Sequence, residues 1–323
     1  MVREKTRSLS QSTTPQKSKK PFPVHILVFL APAVIIYTAF MIIPLLGSLG
    51  LGFFTQNETG SVVFAGLDNY IRLLTDPLWS PRLWGALRNN VIFFIVHMCV
   101  QNPIGLFLAA LISSQLIGSR AATIYRSLIF TPTVLSVVLV GFIWRLILSP
   151  VWGVADDLLA AVGIQSQPWL GLETTALPVL SLISVWQWVG IPMMLFLAAL
   201  MGIPDEIVEA ARVDGATAWS VFWRIKFPLI LPTVGIVGVL TFVGNFNAFD
   251  LIYTTQTALA GPNFSTDILG TLFYRTFFGF QLQLGNDYMG AAVAGVMFVI
   301  IAAGVLAYLF GWQRRILKMD IQL

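Results

Sequence analysis

The sequence predicts an all-α, polytopic membrane protein with six transmembrane helices. Of its 323 residues, 57% are hydrophobic and only 11% are charged, whereas about a quarter of the residues in a typical soluble protein are charged. Six separate apolar runs are each long enough to cross a bilayer, whose hydrocarbon core of about 30 Å requires roughly 20 helical residues. The distribution of Lys and Arg, described below, also agrees with a membrane-spanning chain.

The apolar runs give the order of the elements. Residues 1–23 are rich in Ser, Thr, Gln, Lys and Arg and hold too few apolar residues to form a core, so they predict a disordered tail. A transmembrane domain is predicted over residues 24–312, and residues 313–323 form a short C-terminal tail. The six spans are predicted at 24–54, 91–114, 124–148, 176–200, 229–253 and 289–312. The first run is too long for the apolar part of a signal peptide.

The basic residues orient these spans. With the N-terminus inside, the predicted inside segments hold 14 Lys and Arg residues and the outside segments hold five. Because cytoplasmic loops carry the excess of Lys and Arg, both termini are predicted to be cytoplasmic. The basic residues are not gathered on a folded surface interleaved with aromatic residues, so nucleic-acid binding has no support. We expect membrane lipid to surround the chain.

The longest polar interruption with a helical pattern covers residues 203–228. Pro204 suits a first helical position, and Asp205 and Glu206 place negative charge in the positive first turn. The apolar face of this first short helix is predicted to consist of Ile207, Ala210 and Ala211. Gly215 is predicted to stop the helix with a positive φ. A second short helix is expected to follow, with an aromatic side formed by Trp219, Phe222 and Trp223.

The spacing within this segment resembles a known motif. Glu209-Ala210-Ala211 is followed after three residues by Gly215 and, nine residues later, by Ile225-Lys226-Phe227-Pro228. This resembles the EAA loop of bacterial ATP-binding-cassette (ABC) importer permeases, with Phe227 in place of the usual leucine. The resemblance implies type I importer permease architecture and a cytoplasmic loop that docks into a cleft of an ATPase subunit. Coupling would involve Glu209, Ala210, Ala211, Asp214 and Gly215. The alternative is an ordinary amphipathic connector between two membrane helices.

A second resemblance concerns the cargo. Phe249-Asp250-Leu251-Ile252-Tyr253 and the segment Gly261-Pro262-Asn263-Phe264-Ser265-Thr266 are similar to a region of carbohydrate-importer permeases of the maltose and glycerol-phosphate type, in particular the first of their two permease subunits. This likeness implies import of a carbohydrate or polyol across the bacterial inner membrane. It also implies three partners: a second permease subunit, an ATPase dimer and an external sugar-binding protein. The chain lacks a P-loop pattern, so ATP would bind only to the partners.

Polar residues within the spans are candidates for the substrate path, because they are costly in lipid unless they face a bundle interior or an aqueous path. Gln101 and Gln187 are expected near mid-depth, and Asn245 and Asn247 in the outer half of span five. Gln101 can alternatively satisfy backbone groups freed by Pro103. Gln187 lies between two tryptophans, which suits sugar recognition, but it can instead bond to a neighbouring helix. The depth estimate places Asp250 at the outer rim, as a solvated or helix-capping carboxylate.

Two other classes of protein are alternatives. A stand-alone secondary transporter or channel for a small polar solute would want an ionisable residue at mid-depth, and spans two to six show none that is convincing. An intramembrane enzyme would want a nucleophile with a base, or metal ligands, at depth. Cys99 and two scattered histidines do not supply them, so no catalytic or metal site is predicted.

Overall fold

The computed structural model describes residues 24–114, 117–151, 160–161, 163, 167–281 and 284–315. The predicted N-terminal tail and residues 316–323 of the predicted C-terminal tail lie outside the described residues. The chain divides into two compact units, residues 1–47 and 48–323. The first unit is helical over Val24–Tyr37, with a π-helical turn at Thr38–Ile42, and its large apolar side chains are exposed.

Among the described residues, four helices are long and apolar enough to cross a membrane, and two bent pairs bring the number to six if each pair is one span. The single helices are span one, Val28–Leu51; span two, Ser80–Ile112; span five, Leu231–Gln256; and span six, Asp287–Gln313. Span three consists of Ser119–Val134 and Val137–Ile147, and span four of Ala176–Trp188 and Gly190–Met201. Six spans therefore agree with the sequence, although two of them are not continuous.

Proline accounts for the bend in span four. The two halves meet at 43°, and Pro192 lies four residues after Trp188, so the carbonyl of Trp188 loses its helical N–H partner and meets the proline ring. Span three bends by 94° shortly after Pro132, where Leu135 and Ser136 are extended. The sequence predicts spans over 124–148 and 176–200 but not these breaks, because apolar composition does not distinguish a straight span from a bent one.

Two other boundaries differ from the prediction. Span two begins at Ser80 rather than near residue 91, because the half-buried Asn89 and the buried Asn90 bond to a loop instead of facing water. A π-helical turn at His97–Gln101 widens this span just before Pro103, whose missing N–H interrupts the α-helical ladder. Span five is helical over Leu231–Phe246 and again over Asp250–Gln256.

The segments between the spans are also structured. After span one, the short strands Phe54–Gln56 and Val62–Phe64 pair antiparallel, so a small hairpin is added to the predicted all-α fold. Helix Asp68–Thr75 precedes span two, and helix Leu269–Phe278 precedes span six. Between spans four and five lie the helix Asp205–Val213, the single turn Ala218–Val221, the π-helical turn Phe222–Lys226 and the turn Phe227–Leu229.

Three buried clusters hold the second unit together. The first joins the start of spans two and six to the end of the first helix of span five, through residues such as Leu83, Met289 and Phe246. The second joins the later halves of spans two and four, where Gly105 approaches the backbone of Met193. The third joins the second half of span three, the first half of span four and the end of span five around Leu180. A space remains between the π-helical turn of span two, the bend of span four and the interruption of span five.

Candidate functional site

A cavity of about 440 Å³ lies between spans two, four and five. Its wall is formed where the π-helical turn of span two, the bend of span four and the break of span five come together. Most of the wall is apolar or aromatic, including Phe93, Trp188 and Phe249. The polar side chains on the wall are His97, Gln101, Ser184, Thr241, Asn245, Asn247 and Asp250. Apolar walls with a few polar groups, at this volume, are typical of small-molecule binding sites.

Three of the four predicted path residues line this cavity. Asn245 is 6% exposed and donates from Nδ2 to the Thr241 carbonyl at 2.7 Å, while its Oδ1 is buried without a partner among the described residues. Asn247 donates to the Val243 carbonyl at 3.0 Å. Gln101 is 5% exposed, and its Oε1 likewise lacks a partner within the described part of the chain. The alternative for Gln101, bonding to backbone freed at Pro103, is not observed there.

Gln187 lies elsewhere. It is fully buried, does not line the cavity, and donates from Nε2 to the Leu135 carbonyl at 3.2 Å. Thr133 returns a hydrogen bond of 2.9 Å to the backbone carbonyl of Gln187. These two bonds join the break of span three to the bend of span four. The structure therefore favours the helix–helix bonding alternative for Gln187, because its amide provides a partner for a carbonyl that the extended residues leave outside any helix.

The sequence analysis did not assign His97 and Ser184 to the site. The Nδ1 atom of His97 lies 2.7 Å from the Phe93 carbonyl, so Nδ1 carries the proton, and Nε2 accepts from the Ser184 hydroxyl at 2.9 Å. This bond joins spans two and four across the cavity wall. One signal in the sequence was available: His97 and Gln101 are four residues apart and so share a helix face just ahead of a proline. Their partner on span four could not be read from the sequence.

Asp250 also lines the cavity, as the exposed first residue of the helix Asp250–Gln256. The expectation of a carboxylate at a helix start agrees with this position. Its place beside the path residues was not foreseen, because the depth estimate assumed one unbroken helix in span five. The helix is instead interrupted over residues 247–249, and Asp250 lines the same cavity as Asn247.

The loop between spans four and five has the predicted turn. Helix Asp205–Val213 is followed by Asp214 and then by Gly215, whose φ is +82°. The Ala216 N–H bonds to the Ala211 carbonyl at 2.9 Å, and the Gly215 N–H to the Arg212 carbonyl at 3.0 Å. This pair of bonds is the Schellman arrangement, which requires a left-handed residue at the glycine position. Thr217 then caps the next turn by accepting from the Ser220 N–H at 3.3 Å.

The predicted apolar face of this helix is mostly exposed on this chain. Val208, at 7% exposed, is the residue that packs inward, whereas Ile207 and Ala210 are exposed. Val213 and Trp219 are 87% and 74% exposed. A hydrophobic pattern identifies apolar residues but does not say which of them face this chain. The loop therefore carries an exposed apolar surface, which we call the loop surface: Ile207, Ala210, Val213 and Trp219. The predicted residues Glu209 and Asp214 are exposed beside it.

A buried ion pair organises the segment between spans five and six. Arg275 donates to Asp267 at 2.6 Å and 3.3 Å, and to the Ala258 carbonyl at 2.7 Å. Burial raises the pKa of the Asp267 carboxyl, and the Arg275 guanidinium opposes that rise. From span two, Asn89 donates to the Asp267 carbonyl at 2.8 Å and Asn90 accepts from the Leu269 N–H at 2.7 Å. These bonds fix the segment next to the break of span five.

The chain has similarities to known proteins. Residues 101–318 match the family described as "Binding-protein-dependent transport system inner membrane component". The lactose transport system permease protein LacF of Rhizobium radiobacter is 31% identical over 301 residues, which cover 92% of this chain and 97% of LacF. The arabinooligosaccharides transport system permease protein AraP of Bacillus subtilis (strain 168) is 30% identical over 285 residues, covering 88% and 86% of the two chains.

The fold also matches solved structures. A chain in the crystal structure of a bacterial ABC transporter involved in import of the acidic polysaccharide alginate aligns with a TM-score of 0.72 and 22% identity, covering 93% of this chain and 96% of that chain. A chain of a bacterial alginate ABC transporter in complex with an alginate pentasaccharide-bound periplasmic protein aligns with a TM-score of 0.71 and 23% identity, covering 88% and 92%. The backbone of this chain as a whole therefore resembles arrangements seen by crystallography.

Proposed function

Because this chain belongs to the family of binding-protein-dependent transport system inner membrane components, we propose that it is the permease subunit through which an ABC importer passes a carbohydrate or polyol. The cavity between spans two, four and five carries this proposal. It combines amide and hydroxyl groups with the rings of Trp188 and Phe249, and a sugar presents both hydroxyls and apolar C–H faces. The relatives LacF and AraP are named for lactose and arabinooligosaccharide transport, which supports the same class of cargo.

The proposed energy source is an ATPase dimer that docks on the loop surface. Exposed apolar side chains flanked by Glu209 and Asp214 are suited to a protein partner, because aromatic and aliphatic anchors surrounded by polar residues are typical of binding interfaces. ATP would bind to the partner, since this sequence has no P-loop pattern. Docking would couple ATP binding to a choice between two rigid packings of the spans.

Two further partners belong to the proposal. A second permease subunit would complete the path, because the spans described here leave many large apolar side chains exposed on the second unit. An external binding protein would deliver the cargo, as the periplasmic protein does in the alginate transporter complex. We propose that both termini are cytoplasmic, from the distribution of basic residues.

Co-purification and uptake test the proposal. The chain is expressed with its candidate ATPase, second permease and binding protein, and uptake of a panel of labelled sugars and polyols into proteoliposomes is measured with and without internal ATP. The expected result is ATP-dependent uptake that requires every subunit. Uptake driven by an ion gradient with this chain alone would instead support a secondary transporter or channel and would refute the importer.

Cysteine labelling tests the orientation. In a Cys99→Ser background, a cysteine at Glu173, near Gly171, is expected to react with a membrane-impermeant reagent added from outside, while a cysteine at Ala216 reacts only after the membrane is permeabilised. The reverse pattern would place the loop surface outside, where no ATPase could reach it.

A further inference from the structure

The cavity has a distinct charge. Among its lining residues, which all belong to the described part of the chain, Asp250 is the one side chain that carries a charge at neutral pH when His97 is neutral, and neither Lys nor Arg is present. In the neutral form of His97 both ring nitrogens are paired, because Nδ1 donates to the Phe93 carbonyl while Nε2 accepts from the Ser184 hydroxyl. This subunit therefore presents a net negative wall to anything that enters.

Several unengaged hydrogen-bonding atoms of the wall are acceptors. The orientations of the Asn245 and Asn247 amides are fixed, because each Nδ2 donates to a carbonyl, of Thr241 at 2.7 Å and of Val243 at 3.0 Å. Both Oδ1 atoms are left as acceptors, and that of Asn245 is buried without a partner among the described residues. The Thr241 hydroxyl is already engaged with the Val237 carbonyl at 2.8 Å. Asp250 can only accept.

A hydroxyl on the incoming group can donate to these acceptors. A sugar hydroxyl carries a proton that an orphaned amide oxygen can accept, whereas an ionised carboxylate, sulfate or fully ionised phosphate has no proton to offer. A buried acceptor that stays unpaired is costly, and a second negative charge near Asp250 is repelled in a partly desolvated space. The alginate transporter of similar fold imports an acidic polysaccharide, so the fold by itself does not decide this preference.

We propose that this cavity selects uncharged, hydroxyl-rich saccharides or polyols and excludes those that carry carboxylate, sulfate or phosphate groups. The proposal rests on the proposed transport function, and Asp250 and Asn245 are its specificity-determining residues. Asp250 acts through its charge and Asn245 through its free acceptor.

Charged thiol reagents test the electrostatic part without any need to know the cargo. The assembled complex of both permeases and the ATPase, without binding protein, carries Cys99→Ser and Ile191→Cys, which places a reporter on the span-four wall. A cationic methanethiosulfonate is expected to react on the order of tenfold faster than an anionic one of similar size, after correction for their intrinsic rates. Asp250→Asn should bring the ratio of the two rates close to one. Glu173→Gln, which neutralises an exposed carboxylate outside the cavity, should leave the ratio unchanged.

Protection of the same cysteine tests selectivity among sugars. Maltotriose is expected to slow its modification by a neutral reagent, and trigalacturonate at equal concentration is expected not to. A ratio of reagent rates near one, or equal or greater protection by trigalacturonate, overturns the proposal. Asn245→Leu, which removes the free acceptor and keeps the branched shape of the side chain, should weaken protection by maltotriose, and unchanged protection refutes the role of Asn245. Failure of the complete complex to transport any saccharide is a separate result that refutes the proposed function.

Discussion

Replacement of Gly215 by valine is expected to uncouple transport from ATP hydrolysis. Gly215 has a φ of +82°, and its N–H and that of Ala216 close the end of helix Asp205–Val213. No atom lies within 4 Å of the position that a Cβ would occupy. The substitution therefore causes no collision, and its whole effect comes from the backbone conformation.

The size of that effect follows from the φ value. A residue with a Cβ costs roughly 1–2 kcal/mol in the left-handed region, and a β-branched residue is at the upper end of about 1–3 kcal/mol. A cost of about 2 kcal/mol lowers the equilibrium constant for the native turn roughly thirtyfold. The transmembrane clusters do not include Gly215, so the protein should still insert and fold. Gly215→Asn should have a much smaller effect, because asparagine tolerates the left-handed conformation.

Gly118 is the matched control. It too lies just outside a helix, and no atom lies within 4 Å of the place that its Cβ would take, but its φ is −63° in extended backbone, which valine adopts readily. The assay measures ATP hydrolysis by the reconstituted complex with and without loaded binding protein, together with the amount of ATPase retained on the membrane subunits. Gly215→Val should lose stimulation or retention, and Gly118→Val should keep both. Parental behaviour of Gly215→Val would show that the loop is only a connector.

Three further predictions concern buried contacts, each measured by thermal unfolding of the purified complex in detergent. Arg275→Met should lower the free energy of unfolding by about 3–5 kcal/mol, because it leaves the Asp267 carboxyl unpaired. Adding Asp267→Leu should restore much of that stability, and no recovery in the double variant would contradict this. Gly190→Ala should lower the free energy of unfolding by about 1–3 kcal/mol, because its Cβ would lie 2.9 to 3.1 Å from atoms of span three. The control Gly85→Ala, in open space, should stabilise the protein slightly. Equal effects of the two substitutions would count against close packing of Gly190 on span three. Gln187→Leu should lower the free energy of unfolding by about 1–3 kcal/mol without changing the protection of the cavity cysteine by maltotriose. A loss of protection at normal stability would show that Gln187 belongs to the substrate path.

Sequence alone was sufficient where the determining forces are local. Each span is recognisable because roughly 20 apolar residues must be removed from water together. The end of helix Asp205–Val213 was predictable because a Schellman turn depends on neighbouring residues and on the one residue type that adopts positive φ at little cost. The locations of Gln101, Asn245 and Asn247 within spans were also suitable guides to the cavity, since polar groups in lipid must face something polar.

Only the tertiary structure decided which way each side chain faces. Successive residues of a helix point about 100° apart, so a small change in rotation or a bend after a proline determines whether an amide meets a cavity or a neighbouring helix. Gln187 bonds to Leu135, which is 52 residues away in sequence, and His97 meets Ser184 across 87 residues. The negatively charged cavity wall likewise combines residues of spans two, four and five, and no single stretch of the chain contains enough of these residues to predict it.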